Sequence, residues 1–500
     1  MHLRVLLAGI ALLHSSLTFA TWREASSEHF VIYADENEFN LWTFSEKMER
    51  YHKAITVLFP AQQEVPSPSN RLTVYAIGDR AQARKVLGGN TTVVGFYVPR
   101  AGGSTAFIPP IGASKMDAIS LSEFMLRQTY ALHFKNENLD AMTPNWFTNG
   151  FIEYFSSTTF APNGDIILGG ANNLRAKDFN SNVARQISIE ELLDSKIYAS
   201  RKNNRYDNFF ARSWSLFHYF FSNQEGRKKI ADYLNRLNRG ESELDSARAE
   251  FGDLAVLDRE LGQYLKRPIP ARRIPSEQIS LAPITVRELD AAEAASIDVR
   301  MQSDHGIKPE ETQKAAAVAQ EARQLAAQYP GAASVLGALA KAEYDAGNDE
   351  AAIAAADQAL AITPNHMNAL IQKGAALARI ATATKAPEDW ARVRTHFVAV
   401  NNIEPEHPLP FLYFYLSFTE QGMEPTQNAL EGLESALQVA PYDAKLRMTT
   451  AQAEMNQKRY QDAIHTLSIL AFNSGNENAP AAHSMLEAAK QALAEQSAVP

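Results

Sequence analysis

A chain of 500 residues has room for two to four domains at roughly 150 residues each, so a single small module is excluded. Hydrophobic residues at 45% and charged residues at 21% suit globular domains and exclude a disordered chain or a multi-span membrane protein. The net charge of -9 and the absence of cysteine argue against a nucleic-acid binder, and they exclude disulfides, thiol nucleophiles and cysteine-ligated metals, leaving His, Asp, Glu and backbone oxygen as metal ligands.

The chain opens with Arg4, an apolar run over residues 5–13 and the sequence Leu17-Thr18-Phe19-Ala20, which puts a small residue at a cleavage position. That run is shorter than the ~20 residues that cross a bilayer. Residues 1–20 are therefore expected to be a cleaved secretory signal, and the mature protein to be secreted, into a periplasm, without stable membrane insertion. Residues 21–270 are rich in aromatics and mix strands with helices. Apolar patterning predicts strands at residues 29–34 and 71–76 and a helix at 39–58. Residues 93–98 and 104–108, joined by Gly102-Gly103, predict a hairpin, and helices are expected at 117–136 and 146–157. Residues 271–285, flanked by Pro268 and Pro270 and containing Pro275, read as a linker, because proline cannot sit inside a helix.

From residue 286 to 500 alanine recurs at helical spacing, and Pro330, Pro364, Pro405 and Pro441 follow one another at intervals of 34, 41 and 36 residues. Within the unit 333–364, Leu336, Leu339 and Ala340 fall on a first helix, Gly347 at the turn, and Ala352 and Ala359 on a second helix that Pro364 ends. The same marks recur at Ala429, Ala436 and Pro441, and at Ala451, Tyr460 and Ala463. This pattern resembles tetratricopeptide repeats, in which small residues let paired helices approach closely. It predicts four or five pairs, the first using residues 287–301 and 312–329, with a final capping helix near 481–493. The longest interval is assigned to a loop at residues 382–388. Phe411, Tyr413, Phe414, Tyr415 and Phe418 cluster on one repeat helix, and those at spacings of three and four read as core packing.

The N-terminal half has its own resemblance. Its opening from Trp22 to Val31, the stretch from Pro144 to Phe155 and the helix around residues 209–219 resemble gluzincin metallopeptidases of the peptidase MA type, especially secreted bacterial members fused to tetratricopeptide repeats. The resemblance implies an α+β fold: a gluzincin-like N-terminal domain of small sheet plus helices over residues 21–270, followed by an all-α tetratricopeptide-repeat solenoid over 286–500. In an active gluzincin two histidines of HExxH hold zinc, the intervening glutamate activates water, and a glutamate on the next helix completes the site. Laid onto this chain, HExxH becomes Thr129-Tyr130-Ala131-Leu132-His133, and the later glutamate becomes Asn149 in Trp146-Phe147-Thr148-Asn149-Gly150. Of the four groups only His133 remains. A hydroxyl and an amide are poor zinc ligands, and a phenol with an ordinary pKa near 10 is a poor base.

No catalytic residues and no cofactor are expected from this substitution pattern. His133 with Glu153, one turn beyond Asn149, is the weak candidate for a metal, and His133 is otherwise read as structural. His218, among Phe217, Tyr219, Phe220 and Phe221, reads as part of a buried helix face. The chain is therefore expected to be a secreted pseudopeptidase that binds a protein or peptide partner through its repeats and its degenerate cleft. In the cleft, Ser104, Thr105, Ala106, Phe107 and Ile108 are expected to be an edge strand that pairs with peptide backbone. Two alternatives stand beside this reading: an active zinc-dependent hydrolase with a non-standard site, and a scaffold in which only the repeats bind.

Overall fold

The computed structural model describes residues 21–59, 65–87, 95–112, 119–139, 141–170, 175, 177–178, 184–203, 205–472 and 476–498. The expected signal at residues 1–20 lies outside the described residues, as do 93–94 of the hairpin and 117–118 of the following helix. Among the described residues no helix is long and apolar enough to cross a membrane.

The strands are β1 (Trp22–Ser26), β2 (Phe30–Asp35), β3 (Leu72–Ala76), β4 (Phe96–Val98), β5 (Thr105–Ile108), β6 (Thr159–Phe160), β7 (Ile166–Leu168), β8 (Arg272–Ile274) and β9 (Thr285–Glu288). Six of them form a mixed sheet in the order β4-β5-β3-β2-β1-β9, and β6-β7-β8 form a second. In the large sheet β2, β3 and β5 run parallel, whereas β1, β4 and β9 pair antiparallel. Helices α1 (Glu38–Thr56), α2 (Arg80–Leu87), α3 (Leu121–Asn138) and α4 (Asn145–Ser156) are interleaved with the strands. After them come α5 (Ile189–Leu193), α6 (Ser195–Arg201), α7 (Phe209–Phe221), α8 (Gln224–Asn238), α9 (Glu243–Phe251) and α10 (Leu254–Tyr264).

Strand β2 is apolar along most of its length because both of its faces are covered. Phe30, Ile32 and Ala34 share a core with Leu41, Phe44 and Met48 of α1 and Leu126 and Phe134 of α3. Val31 and Tyr33, pointing the other way, share a second core with Val86 of α2. Two helix starts are fixed locally: the Asn37 side chain accepts from Asn40 N at 2.9 Å, and Ser120 Oγ accepts from Glu123 N at 3.2 Å.

The C-terminal part is helical throughout. Its pairs are α11 (Ala291–His305) with α12 (Thr312–Gln328), α13 (Ala333–Asp345) with α14 (Asp349–Ile362), and α15 (Met367–Thr384) with α16 (Pro387–Ile403). Then come α17 (Pro408–Thr419) with α18 (Gln427–Val439) and α19 (Ala444–Asn456) with α20 (Tyr460–Ala471), and α21 (Ala479–Ala498) closes the row. The fold is thus an α+β domain followed by a helical-repeat solenoid. Buried alanines such as Ala352, Ala359, Ala429, Ala436, Ala451 and Ala463 sit at the helix contacts. The aromatic cluster on α17 is absorbed by packing: Tyr415, Phe411, Phe414 and Phe418 join one core, and Tyr413 stacks on Phe397 at 4.6 Å.

Four expectations need correction. First, the expected linker contains structure: β8 pairs with β7, and β9 extends the large sheet by pairing with β1. Prolines forbid helix there but leave short strands open, and Asp165 holds the turn after β8 by accepting from Ser276 N at 2.9 Å and pairing with Arg273. Second, the helix expected from residue 287 starts at Ala291, since 285–288 belong to β9. Third, the loop expected at 382–388 is reduced to Lys385-Ala386; the extra residues lengthen α15 and α16 to 18 and 17 residues, and Pro387 opens α16 at a position where its missing N–H is not needed. Fourth, β5 is not an edge. Thr105–Ile108 pair with β3 on one side and β4 on the other and are buried, so Ser104, Thr105, Ala106, Phe107 and Ile108 offer no free backbone to a peptide. The outer strand on that side is β4.

Candidate functional site

Helix α3 carries the positions at which the family pattern would place metal ligands and base. Thr129 and His133 are one turn apart on one face of α3, and Asn149 lies on α4, which packs against it. Behind α4 runs α7. A Cβ on Gly150 would lie 2.6 Å from Ser213 O and from Phe217 Cβ, so only glycine allows this close crossing. Phe147, Phe151 and Tyr154 of α4 meet Phe217 with ring centroids 5.4, 5.9 and 5.4 Å apart.

The side chains of Tyr130, His133 and Asn149 are engaged elsewhere. The Tyr130 hydroxyl shares a hydrogen bond with His52 Nδ1 at 2.6 Å, and burial pushes the phenol well above its ordinary pKa. His52 stacks on His29 with ring centroids 3.6 Å apart. Glu49 in turn binds His29 twice, accepting from its N at 2.9 Å and bonding its Nδ1 at 2.8 Å. Burial, then the neighbouring His29, holds His52 well below the usual imidazole range, so its ring is neutral. Tyr130 thus ends a buried polar cluster, its hydroxyl bonded to His52.

His133 is 3% exposed, and burial lowers its pKa to about 4. Its Nδ1 shares a hydrogen bond with the Tyr97 hydroxyl of β4 at 2.6 Å. From the far end of the chain Tyr442, in the turn between α18 and α19, lays its ring 4.8 Å from the His133 ring. Asn149 Nδ2 donates to Asn145 O at 2.8 Å, within its own helix. Glu153, the other weak metal candidate, accepts from Arg175 Nη2 at 2.6 Å and Gln128 Nε2 at 3.1 Å. Among the described residues no group of three or more His, Asp or Glu could hold a metal ion. The buried His218 donates from Nε2 to Gly169 O at 2.6 Å, which leaves Nδ1 to accept from the Tyr264 hydroxyl at 2.7 Å.

Thr129, Tyr130, His133 and Asn149 are reached through the resemblance, by laying the gluzincin pattern onto this sequence. Sequence reasoning missed His29, Glu49, His52, Tyr97 and Tyr442. No spacing rule joins residues that meet only when the sheet and the solenoid have formed.

Residues 135–242 match a family described as a protein of unknown function (DUF1570); the match begins two residues after His133 and includes Asn149 and Glu153. No curated protein matches the chain. Among solved structures, a thermophilic TPR protein of Thermus thermophilus is 16% identical, with 36% of this chain and 91% of that chain covered and a TM-score of 0.30. A fragment of MamA from Desulfovibrio magneticus is 16% identical, covering 38% of this chain and 98% of that chain, with a TM-score of 0.29.

Proposed function

We propose that this chain is an exported pseudopeptidase that serves as a binding or assembly module, its helical repeats supplying the surface for a protein partner. The observation that carries this reading is the chemistry of four positions. Where zinc, base and third ligand would sit in a gluzincin, this chain has Thr129, Tyr130, His133 and Asn149, and the two groups with real donor strength are committed to buried hydrogen bonds. Such a domain keeps the shape of a peptidase without the means to activate water. The solenoid then becomes the part with free surface to offer, since stacked helix pairs present extended faces suited to a peptide or a partner helix.

Crosslinking in intact cells with a lysine-reactive reagent tests the module. Crosslinks from exposed solenoid lysines such as Lys445 and Lys458 to a second protein are expected. Crosslinks confined to this chain, repeated at several reagent lengths, contradict the reading.

A further inference from the structure

The solenoid is attached to the N-terminal domain at two places of unequal apolar content. At its start, α11 is built into the layer behind the sheet. Leu289, Ile297 and Met301 share an apolar core with Trp22, Val31, Tyr33 and Phe107, and the Arg300 guanidinium lies 4.5 Å from the Tyr33 ring centre. Farther along, at the turns before α17 and before α19, hydrogen bonds surround one buried apolar residue, Ala101, which joins Tyr442 and Leu446 in a core. Glu404 accepts from Ser67 Oγ and Ser69 N, both at 2.8 Å, and from Ser69 Oγ at 2.9 Å. Asn70 Nδ2 donates to Glu406 O at 3.1 Å, and Ala101 N donates to Asp443 Oδ2 at 2.8 Å.

These two turns occupy equivalent places in successive repeats. Glu404-Pro405-Glu406-His407 leads into α17 and Ala440-Pro441-Tyr442-Asp443 into α19, with His407 and Asp443 as the helix caps. Both reach the β4–β5 hairpin. Gly102, at φ +71°, lets the His407 ring come so near that a Cβ would be 2.5 Å from it. Tyr442 sits beside Ser104 and over His133, closing that face of α3. The same contact holds a buried polar atom without a hydrogen-bond partner, Asn70 Oδ1.

We propose that the two turns form a latch: the solenoid is hinged at α11 and swings its last pairs off the face carrying Tyr97, Ser104 and His133, so that the cleft has a closed and an open state. The first attachment adds hydrogen bonds such as Tyr75 to Asp304 to a large apolar core, whereas the second buries Ala101 and the Tyr442 ring among hydrogen bonds, so the second parts first, because water replaces hydrogen bonds but not a large apolar core. The unpartnered Asn70 Oδ1 favours opening, since it gains a water partner there. Repeats that touch only their neighbours spread the bend over several small rotations. The inference rests on the proposed reading only in taking the His133 face as a place a partner would seek.

Because the chain has no cysteine, Ser104→Cys in the full-length protein supplies a single, buried reporter thiol. Its labelling by a maleimide is expected to be slow, and to quicken by about tenfold when Glu404→Ala is added, or less when the milder Ser69→Ala is added. Low denaturant should leave the rate nearly flat, since opening the latch exposes little surface. As a check with Ser104 in place, backbone hydrogen exchange over residues 96–104 and 129–137 should quicken in the Glu404→Ala chain while α4 and α7 stay slow. A rate unchanged by both substitutions, or one that climbs with denaturant in step with global unfolding, overturns the latch. Labelling reads opening and not binding, so this result and the crosslinking result stand or fall separately.

Discussion

Glu123→Ala is expected to destabilise the N-terminal domain by about 3–5 kcal/mol, the range for removing one partner of a buried charge cluster. Glu123 is 0% exposed and its carboxylate serves two cations, Lys47 of α1 at 1% side-chain exposure and Arg127 of α3 at 0%. Arg127 also donates to Thr158 O, and its guanidinium lies 4.7 Å from the Phe160 ring centre and 5.3 Å from that of Tyr51. Without the carboxylate two positive charges remain in an apolar setting that cannot solvate them. Glu123→Gln keeps the volume and hydrogen-bonding capacity but loses the charge, so it should fall between wild type and alanine. Equilibrium denaturation of the full chain, followed by tryptophan fluorescence, measures both. A loss below about 1 kcal/mol for alanine would place the cluster in contact with solvent.

The second large effect is a pH dependence of opposite sign at two residues near one another on α3. His133 has a pKa of about 4 in the folded chain, held there by burial, against an ordinary 6.5. Between those values the unfolded chain binds a proton that the folded chain refuses. Stability contributed by neutral His133 is therefore whole above pH 6.5 and falls as pH drops toward 4, by about 3 kcal/mol for a shift of this size. His133→Gln removes this dependence, so the gap between wild type and variant should narrow on acidification. Glu137 goes the other way: burial raises its pKa to about 7. The folded chain holds its proton more tightly, so its contribution is present below the ordinary 4.5 and is lost as pH rises through 7. Glu137→Gln should accordingly gain on wild type between pH 4.5 and 7. Thermal unfolding of the three proteins across that range checks both signs.

Elements set by local periodicity are legible in the sequence: β2, α1, β3, the two helices of the degenerate motif and most of the repeat helices. Strand order is not. Alternation marks residues 104–108 as a strand, but only the sheet reveals that β3 and β4 flank it, which turns an expected edge into an interior strand. Proline in residues 268–275 excludes a helix without saying that β8 joins one sheet from that stretch and that β9, just after it, joins the other. The insertion near residue 385 is visible as length, yet its residues go into two longer helices. At the site, the resemblance implies which groups are absent. It cannot reveal what replaces their interactions, because His52 is 78 residues from Tyr130 and Tyr97 is 36 from His133.

Zinc content, measured by plasma mass spectrometry after dialysis against a weak chelator, tests the central claim most directly. The Thr129→His/Asn149→Glu chain, which with His133 restores three ligands on α3 and α4, is the comparison and should gain metal. The wild-type chain is predicted to carry almost none and to show no chelator-sensitive peptide cleavage. Close to one zinc per wild-type chain, accompanied by such cleavage, would contradict the pseudopeptidase reading.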